Sequence, residues 1–309
     1  VALLHAPSGR WRLGLLLAIA TALMWATLPV ALKLALEQLD AYTLTWFRFL
    51  VAFGLLGAWM GWHGQFGQYR GLARAAFVLL AIAALGLIGN YVGYILGLAR
   101  TTPGNAQLLI QLAPLLMALG GVLVFKERLG PLQWLGYAAV LGGLLLFFNE
   151  QRGRAIEAAG YTLGGWLIVA AAAAWAVYAL AQKQLLRRLS SQAVLLVIYG
   201  AAAWLLLPTA EPARLLALDG WHWAAVLYCA LNTVIAYGAF AEAMAHWEVS
   251  KVSAILATTP LLTVAVVTLL AAFVPGLVAP ERIGVMGWIG ALAVVAGSAA
   301  VSLLGRRGP

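Results

Sequence analysis

Residues 127–143 read ERLGPLQWLGYAAVLGG, and further along the chain residues 281–297 read ERIGVMGWIGALAVVAG. Glu127-Arg128 and Glu281-Arg282 open the two stretches, and Gly130, Trp134, Gly136 and Gly143 are matched spacing for spacing by Gly284, Trp288, Gly290 and Gly297. Working outward, the correspondence continues. Trp25-Ala26 is followed by Lys33 and Trp175-Ala176 by Lys183 at the same distance, while Tyr91 and Pro114 correspond to Tyr237 and Pro260 at a shared offset of 146. Matches in one consistent order read as a tandem duplication, with residues 1–150 and 151–309 as the two copies.

The composition says where such a chain lives. It is 64% apolar and 9% charged, with a mean hydropathy of +0.95, against roughly 45–50% and about 25% for a soluble domain. An integral membrane protein follows. Apolar stretches long enough to cross a bilayer are read at 12–36, 41–62, 73–100, 103–125, 131–149, 162–186, 191–209, 220–246, 250–274 and 282–304. They are too long and too little alternating for barrel strands, so the expected fold is all-α, ten transmembrane helices in two five-helix repeats. Five is odd, which makes the second copy cross in the opposite sense to the first.

Arg10, Arg12, Arg70, Arg74, Lys126, Arg128, Lys183, Arg187, Arg188, Lys251, Arg306 and Arg307 share the side of both termini, against Lys33, Arg100, Arg152, Arg154, Arg214 and Arg282 on the other. That excess predicts cytoplasmic termini. The basic balance therefore reports topology rather than a nucleic-acid partner. Inverted repeats of this kind are the architecture of secondary transporters, which place substrate near the midplane between the repeats.

Trp25 through Lys33, Trp46-Phe47-Arg48-Phe49-Leu50 with Ala52, Thr102-Pro103-Gly104-Asn105-Ala106, Pro114-Leu115-Leu116, and Glu127-Arg128-Leu129 with Trp134 and Gly136 resemble the EamA-type branch of the drug/metabolite transporter superfamily. Both halves carry the likeness, with Val274 to Pro280 as an insertion in the second. The resemblance implies ten helices, cytoplasmic termini and transport of small metabolites, usually export. Trp175-Ala176-Val177-Tyr178 with Trp204 and Pro208 is most similar to the superfamily's aromatic amino-acid exporters.

The candidate pathway is read from what lies deep. Trp25 and Trp175 fall near the midplane, with Asn90, Tyr91, Tyr94, Asn232 and Tyr237 slightly to either side. Gln107 and Gln111 share one face of the fourth span, and amides are costly against lipid. Tyr178 lies on the Trp175 face of the sixth span. Each of these has a plain alternative: core packing for the aromatics, a helix-to-helix hydrogen bond for the amides. Pro29, Pro114 and Pro260 remove helical donors, freeing the carbonyls of Trp25, Ile110 and Leu256 for an ammonium group or water, or else they serve as kinks. Gly86, Gly89, Gly93 and Gly97 form a ridge for close packing.

Ionisable groups at depth are the usual start of a functional reading. Here Arg48 is expected to snorkel outward or to pair with Asp40 or Glu37. Glu242 and His246 are the candidates for a proton or gate site, against a plain ion pair. The remaining carboxylates fall in loops or at helix ends, Glu281 among them, and both Glu-Arg corners read as scaffold. No His, Cys, Asp or Glu cluster predicts a metal site or catalytic centre, no nucleotide motif is present, and the lone Cys229 reads as an apolar filler. The chain is thus expected to be a cofactor-free exporter, not an enzyme, in a bacterial cytoplasmic membrane. Its expected partners are membrane lipid and a small neutral or zwitterionic solute, aromatic and other neutral amino acids foremost, with no nucleic acid and no obligate protein partner. A drug or metabolite exporter of the same fold is the alternative, and a membrane scaffold or receptor the contrasting class.

Overall fold

A computed structural model describes residues 10–125, 130–154, 158–247, 249–274, 276–278 and 280–304, and among these there is no strand. The helices in chain order are α1 (Trp11–Ala35), α2 (Ala41–Trp62), α3 (Arg74–Arg100), α4 (Pro103–Leu109), α5 (Leu112–Phe125), α6 (Pro131–Arg154), α7 (Ala158–Leu185), α8 (Ser191–Leu206), α9 (Gly220–His246), α10 (Val249–Leu256), α11 (Thr259–Phe273) and α12 (Val285–Leu304). Among the described residues eight segments are long and apolar enough to cross a membrane, and Val285–Val301 is a shorter apolar helix. The Glu127-Arg128 corner, and Arg306 and Arg307, lie outside the described residues.

Short polar residues set the helix starts. Asp40 accepts from the amides of Tyr42 and Thr43 at the head of α2, Ser190 from Ala193 at the head of α8, and Asp219 from Trp221 and His222 at the head of α9. Each satisfies donors that a helix N-terminus leaves open.

The stretches 103–125 and 250–274 are not single helices, contrary to the sequence expectation. The first parts at Ile110 and Gln111, the second at Ala257 and Thr258. A proline ring clashes with the carbonyl four residues back, which is Ile110 for Pro114 and Leu256 for Pro260, so each helix parts at or just after that residue. Nor are those carbonyls left free. Ile110 O accepts from the Ala113 amide at 2.9 Å, and Leu256 O from Thr259 Oγ1 at 2.6 Å. Within an apolar surround such re-pairing is what lets a broken helix persist. Pro29, by contrast, is buried inside an uninterrupted α1.

The long helices pack in pairs, α3 on α7, α1 on α9, α2 on α8 and α6 on α12. Glycine decides two of these seams. A methyl at Gly97 would stand 2.7 Å from the Gly164 carbonyl, and one at Gly86 would stand 2.9 Å from Ala174 O and Tyr178 N. On the other seam the matched residues 130–143 and 284–297 lie against each other. Gly136 faces the Gly297 carbonyl at 2.9 Å and Gly143 faces that of Gly290 at 2.5 Å, each measured from where a Cβ would stand. Beyond them Glu150 closes the end of α6 onto the amides of Gly284 and Gly287, both at 2.6 Å.

Candidate substrate site

The two breaks meet. Gln111 Nε2, at the α4–α5 break, lies 3.5 Å from the carbonyl of Ala257 at the α10–α11 break. Nearby on α11, Thr263 Oγ1 donates to Ala26 O on α1 at 3.0 Å, one residue past Trp25. The Trp25 ring in turn meets Tyr237 edge-on at 5.5 Å and Phe240 at 5.7 Å, both from α9.

From Tyr237 an aromatic and polar chain continues to α2. The hydroxyls of Tyr237, Tyr91 and Thr233 lie together, and Tyr91 packs on Phe49 at 4.6 Å. The Arg48 guanidinium carbon sits 4.8 Å from the centre of the Tyr91 ring, while its Nε donates to Cys229 O and to Thr233 Oγ1, each at 3.1 Å. Arg48 is 3% exposed. It neither snorkels nor reaches Asp40 or Glu37, as the sequence led one to expect, because α9 and Tyr91 offer it a carbonyl, a hydroxyl and a π-face at its own depth. A planar guanidinium suits that combination.

The other candidates divide into smaller groups. Tyr94 donates to Gln107 Oε1 at 3.0 Å, and Trp175 meets Tyr178 at 6.2 Å. Trp25, Tyr94, Gln107, Gln111, Trp175 and Tyr237 are half-buried, whereas Tyr178 is buried against Gly86. Asn90 and Asn232 serve the seams. Asn90 Nδ2 donates across to Ala171 O at 2.9 Å, and Asn232 Nδ2 to Met24 O at 2.8 Å. Glu242 is exposed and lies 2.9 Å from His246 Nε2 on the last turns of α9, a side-chain pairing that i, i+4 spacing favours. Pro114 is exposed and Pro260 buried.

Arg48, Thr233, Phe240 and Thr263 are members of this group that the sequence reading did not select; for Arg48 a signal existed. The available signal was an arginine about 10 Å into a span at 1.5 Å per residue, with no carboxylate on its own face. Groups of three or more His, Cys, Asp or Glu suited to a metal do not occur among the described residues.

The surroundings of the site differ between its two ends. Toward Pro103 and Phe273, α4 packs on α11, α7 and α1. Toward the other end α5 packs on α7 and α6, and α10 on α12, α1 and α9. Leu119 and Leu123 of α5 are exposed.

A bundle of apolar helices, two of them broken where an aromatic and amide cluster gathers, defines a multi-pass membrane protein. The chain belongs to the EamA-like transporter family, whose model matches residues 12–149 and again 162–303. It is similar to the uncharacterized inner membrane transporter YhbE of Escherichia coli K12, at 37% identity over 96% of this chain and 92% of that one. It is also similar to a probable terminal-alkyne amino-acid exporter of Streptantibioticus cattleyicolor, at 28% identity over 94% and 92%. A solved crystal structure aligns over 96% of this chain and 99% of its own with a TM-score of 0.64 at 24% identity, a likeness of fold. Family and relatives make this chain a membrane transporter acting on small molecules within lipid, rather than an enzyme.

Proposed function

We propose that the protein exports small neutral or zwitterionic solutes, aromatic and other neutral amino acids foremost, across the cytoplasmic membrane by alternating access between two inverted five-helix halves, residues 1–150 and 151–309, with both termini cytoplasmic. The observation that carries this reading is the meeting of the two helix breaks at Gln111 and Ala257 beside Trp25 and Tyr237. Discontinuous helices facing each other at a repeat interface are how secondary transporters build a midplane site.

Two further features support the halves. The family model matches the chain twice in succession. In the α6–α12 seam Gly136 meets Gly297 and Gly143 meets Gly290, so repeat-equivalent positions exchange contacts as they would about a two-fold axis. The pairs α1–α9 and α3–α7 are likewise exchanged by such an axis.

For the solute, the Trp25, Phe240 and Tyr237 rings offer faces to an apolar or aromatic side chain and to an ammonium. Gln107 and Gln111 offer amide donors and acceptors, and Arg48, whose partners carry no negative charge, leaves a positive potential for a carboxylate. Residues that line the path are taken to be Trp25, Tyr91, Tyr94, Gln107, Gln111, Trp175, Tyr178 and Tyr237, with Asn90 and Asn232 holding the flanking seams. The test is efflux from proteoliposomes loaded with a panel of amino acids. Release of neutral amino acids above empty-vesicle leakage is expected; release of none of them, with drugs or other metabolites moving instead, would reassign the substrate.

A further inference from the structure

A second polar cluster is buried at the end of the bundle where α3 turns into α4. Five parts of the chain build it: Lys33 in the last turn of α1, Thr101 and Thr102 at the corner, Gly104 and Asn105 on α4, Tyr161 on α7, and Glu281 ahead of α12. Glu281 Oε1 accepts from the Gly104 amide at 2.7 Å. Asn105 Nδ2 donates to Thr101 Oγ1 at 2.7 Å, and Lys33 Nζ points to Ala99 O at 3.4 Å.

Three buried side-chain atoms in the described residues have no hydrogen-bond partner, and all three lie here: Glu281 Oε2, Asn105 Oδ1 and the Tyr161 hydroxyl. Glu281 Oε2, when ionised, and Asn105 Oδ1 are acceptors, and the Tyr161 hydroxyl can supply only one donor to the two of them. Clustered acceptors short of a donor are costly in a dry surround. One proton on Glu281 Oε2 turns an acceptor into a donor and relieves that shortage.

Resting on the exporter reading above, we propose that Glu281 is a proton-binding site that holds the outer end shut, seated on Gly104 while protonated and released when the proton leaves to external water. The only bond made or broken is the O–H of the carboxyl, and the only co-reactant is a proton. Burial, the largest influence, raises the Glu281 carboxyl above its ordinary value, while the Gly104 amide, Thr102 and the Lys33 charge act against it. The seated state thus binds the proton more tightly than a carboxyl free in water does. Shutting is complete at low external pH and is lost as pH rises through the raised value. Lys33 from α1 and Tyr161 from α7 face the group; Glu150 from α6, held by the Gly284 and Gly287 amides, anchors the segment behind it, and α11 presents Val264. Because Glu281 is reached from one side, its proton sets the rate of export and not the final distribution of solute.

The experiment compares efflux from proteoliposomes into external buffer at about pH 5 and about pH 8, with the infrared carboxylic-acid band followed over the same range. The parent is expected to release solute several-fold faster at the higher pH, with a band that titrates. Glu281→Gln supplies a permanent N–H donor, so it is expected to be slow at both and to lack that band. Gly104→Ala places a methyl against Glu281 Oε2 and is expected to be fast at both. Equal parental rates at both pH values, or a Glu281→Gln profile that follows the parent, would overturn the proton site and leave the exporter reading standing. A band that titrates at Glu281 with no solute released at any pH would overturn the exporter reading and keep the proton site. Should Gly104→Ala fail to fold, the glutamine variant and the band decide alone.

Discussion

The α3–α7 and α1–α9 seams are counterparts in the proposed duplication, yet they are joined differently. In α3–α7 the helices approach closely from Gly86 to Gly97, with Gly86, Gly93 and Gly97 lying against Ala174, Ala171 and Gly164. In α1–α9 the glycine that meets a facing backbone is Gly14, beside Trp247 and Ala243, and the middle carries side-chain contacts: Asn232 to Met24 O, Thr27 to Tyr228, and Trp25 against Tyr237 and Phe240. Without a hydrophobic drive between helices in lipid, close packing and interhelical hydrogen bonds are what hold them together. The α3–α7 seam leans on the first, with Asn90 adding one hydrogen bond to Ala171 O, and the middle of the α1–α9 seam leans on the second. A seam made of side chains can hold aromatic faces toward a solute; a seam of glycines holds helices in place.

The largest effect should come from breaking the glycine seam. Gly97→Leu would drive its side chain into the Gly164 carbonyl and Ile168, an overpacking that costs about 3 kcal/mol or more, and loss of monodisperse protein in detergent is the expected readout. Gly238 of α9 has nothing within 4 Å of where its Cβ would stand. Gly238→Leu should therefore purify like the parent. Equal behaviour of the two variants would show that the seams do not differ as described.

Next comes the buried cation that ties α2 to α9. Arg48→Met fills similar volume, and replacing a buried charge by an apolar chain is often close to neutral for stability. Transport should nonetheless fall about tenfold or more, the loss of one or two charge-assisted hydrogen bonds at about 1.5–3 kcal/mol each, because Tyr91 loses its support and the site its positive charge. Arg48→Lys should not restore it, since an ammonium cannot stack on Tyr91 and donate sideways to Thr233 at once. A thermal melt alongside efflux separates the two effects, and full activity in Arg48→Met would remove the cation from the site.

Much of this arrangement was legible before the fold was seen, where the signal is local. The long apolar runs announce the helices, and the glycines spaced along α3 announce a close neighbour. What was hidden depends on tertiary neighbours. The breaks at Ile110 and Ala257 follow from prolines that were read as kinks, but that a helix parts rather than bends depends on Thr259 and the Ala113 amide taking up the carbonyls. Arg48 looked like a snorkelling residue because its carbonyl and hydroxyl partners sit on a helix about 180 residues away. Glu281 looked like scaffold because nothing beside it in sequence shows that Gly104, Tyr161 and Lys33 close over it.

A smaller effect is expected from the rings. Trp25→Ala, Trp175→Ala and Tyr178→Ala each remove an aromatic face, and a cation–π contact is worth on the order of 0.5–2 kcal/mol, so efflux should fall roughly threefold to thirtyfold with expression retained. Trp25→Ala should be the more damaging of the tryptophan changes, since its ring joins two others on the side-chain seam, whereas Trp175 neighbours the glycine seam and meets Tyr178 alone. The reverse order would place the solute against α7.

The smallest effect, none, is expected at Glu242. A carrier driven by protons needs a titrating group that faces the two sides in turn, and Glu242 is exposed on the last turns of α9 with its carboxylate already paired to His246. A zwitterion carries no net charge, so moving it does no work against the membrane potential, and an internal excess alone suffices to drive it outward. Glu242→Gln should therefore leave the efflux rate within about twofold of the parent, as removal of an exposed ion pair worth about 0.2–1 kcal/mol allows. An imposed pH gradient should likewise leave the final distribution of solute unchanged, even where external pH alters how fast it is reached. Accumulation of solute against its own gradient, abolished by Glu242→Gln, would make Glu242 the coupling site and turn the side-chain seam from a passive wall into the part of the molecule that moves protons.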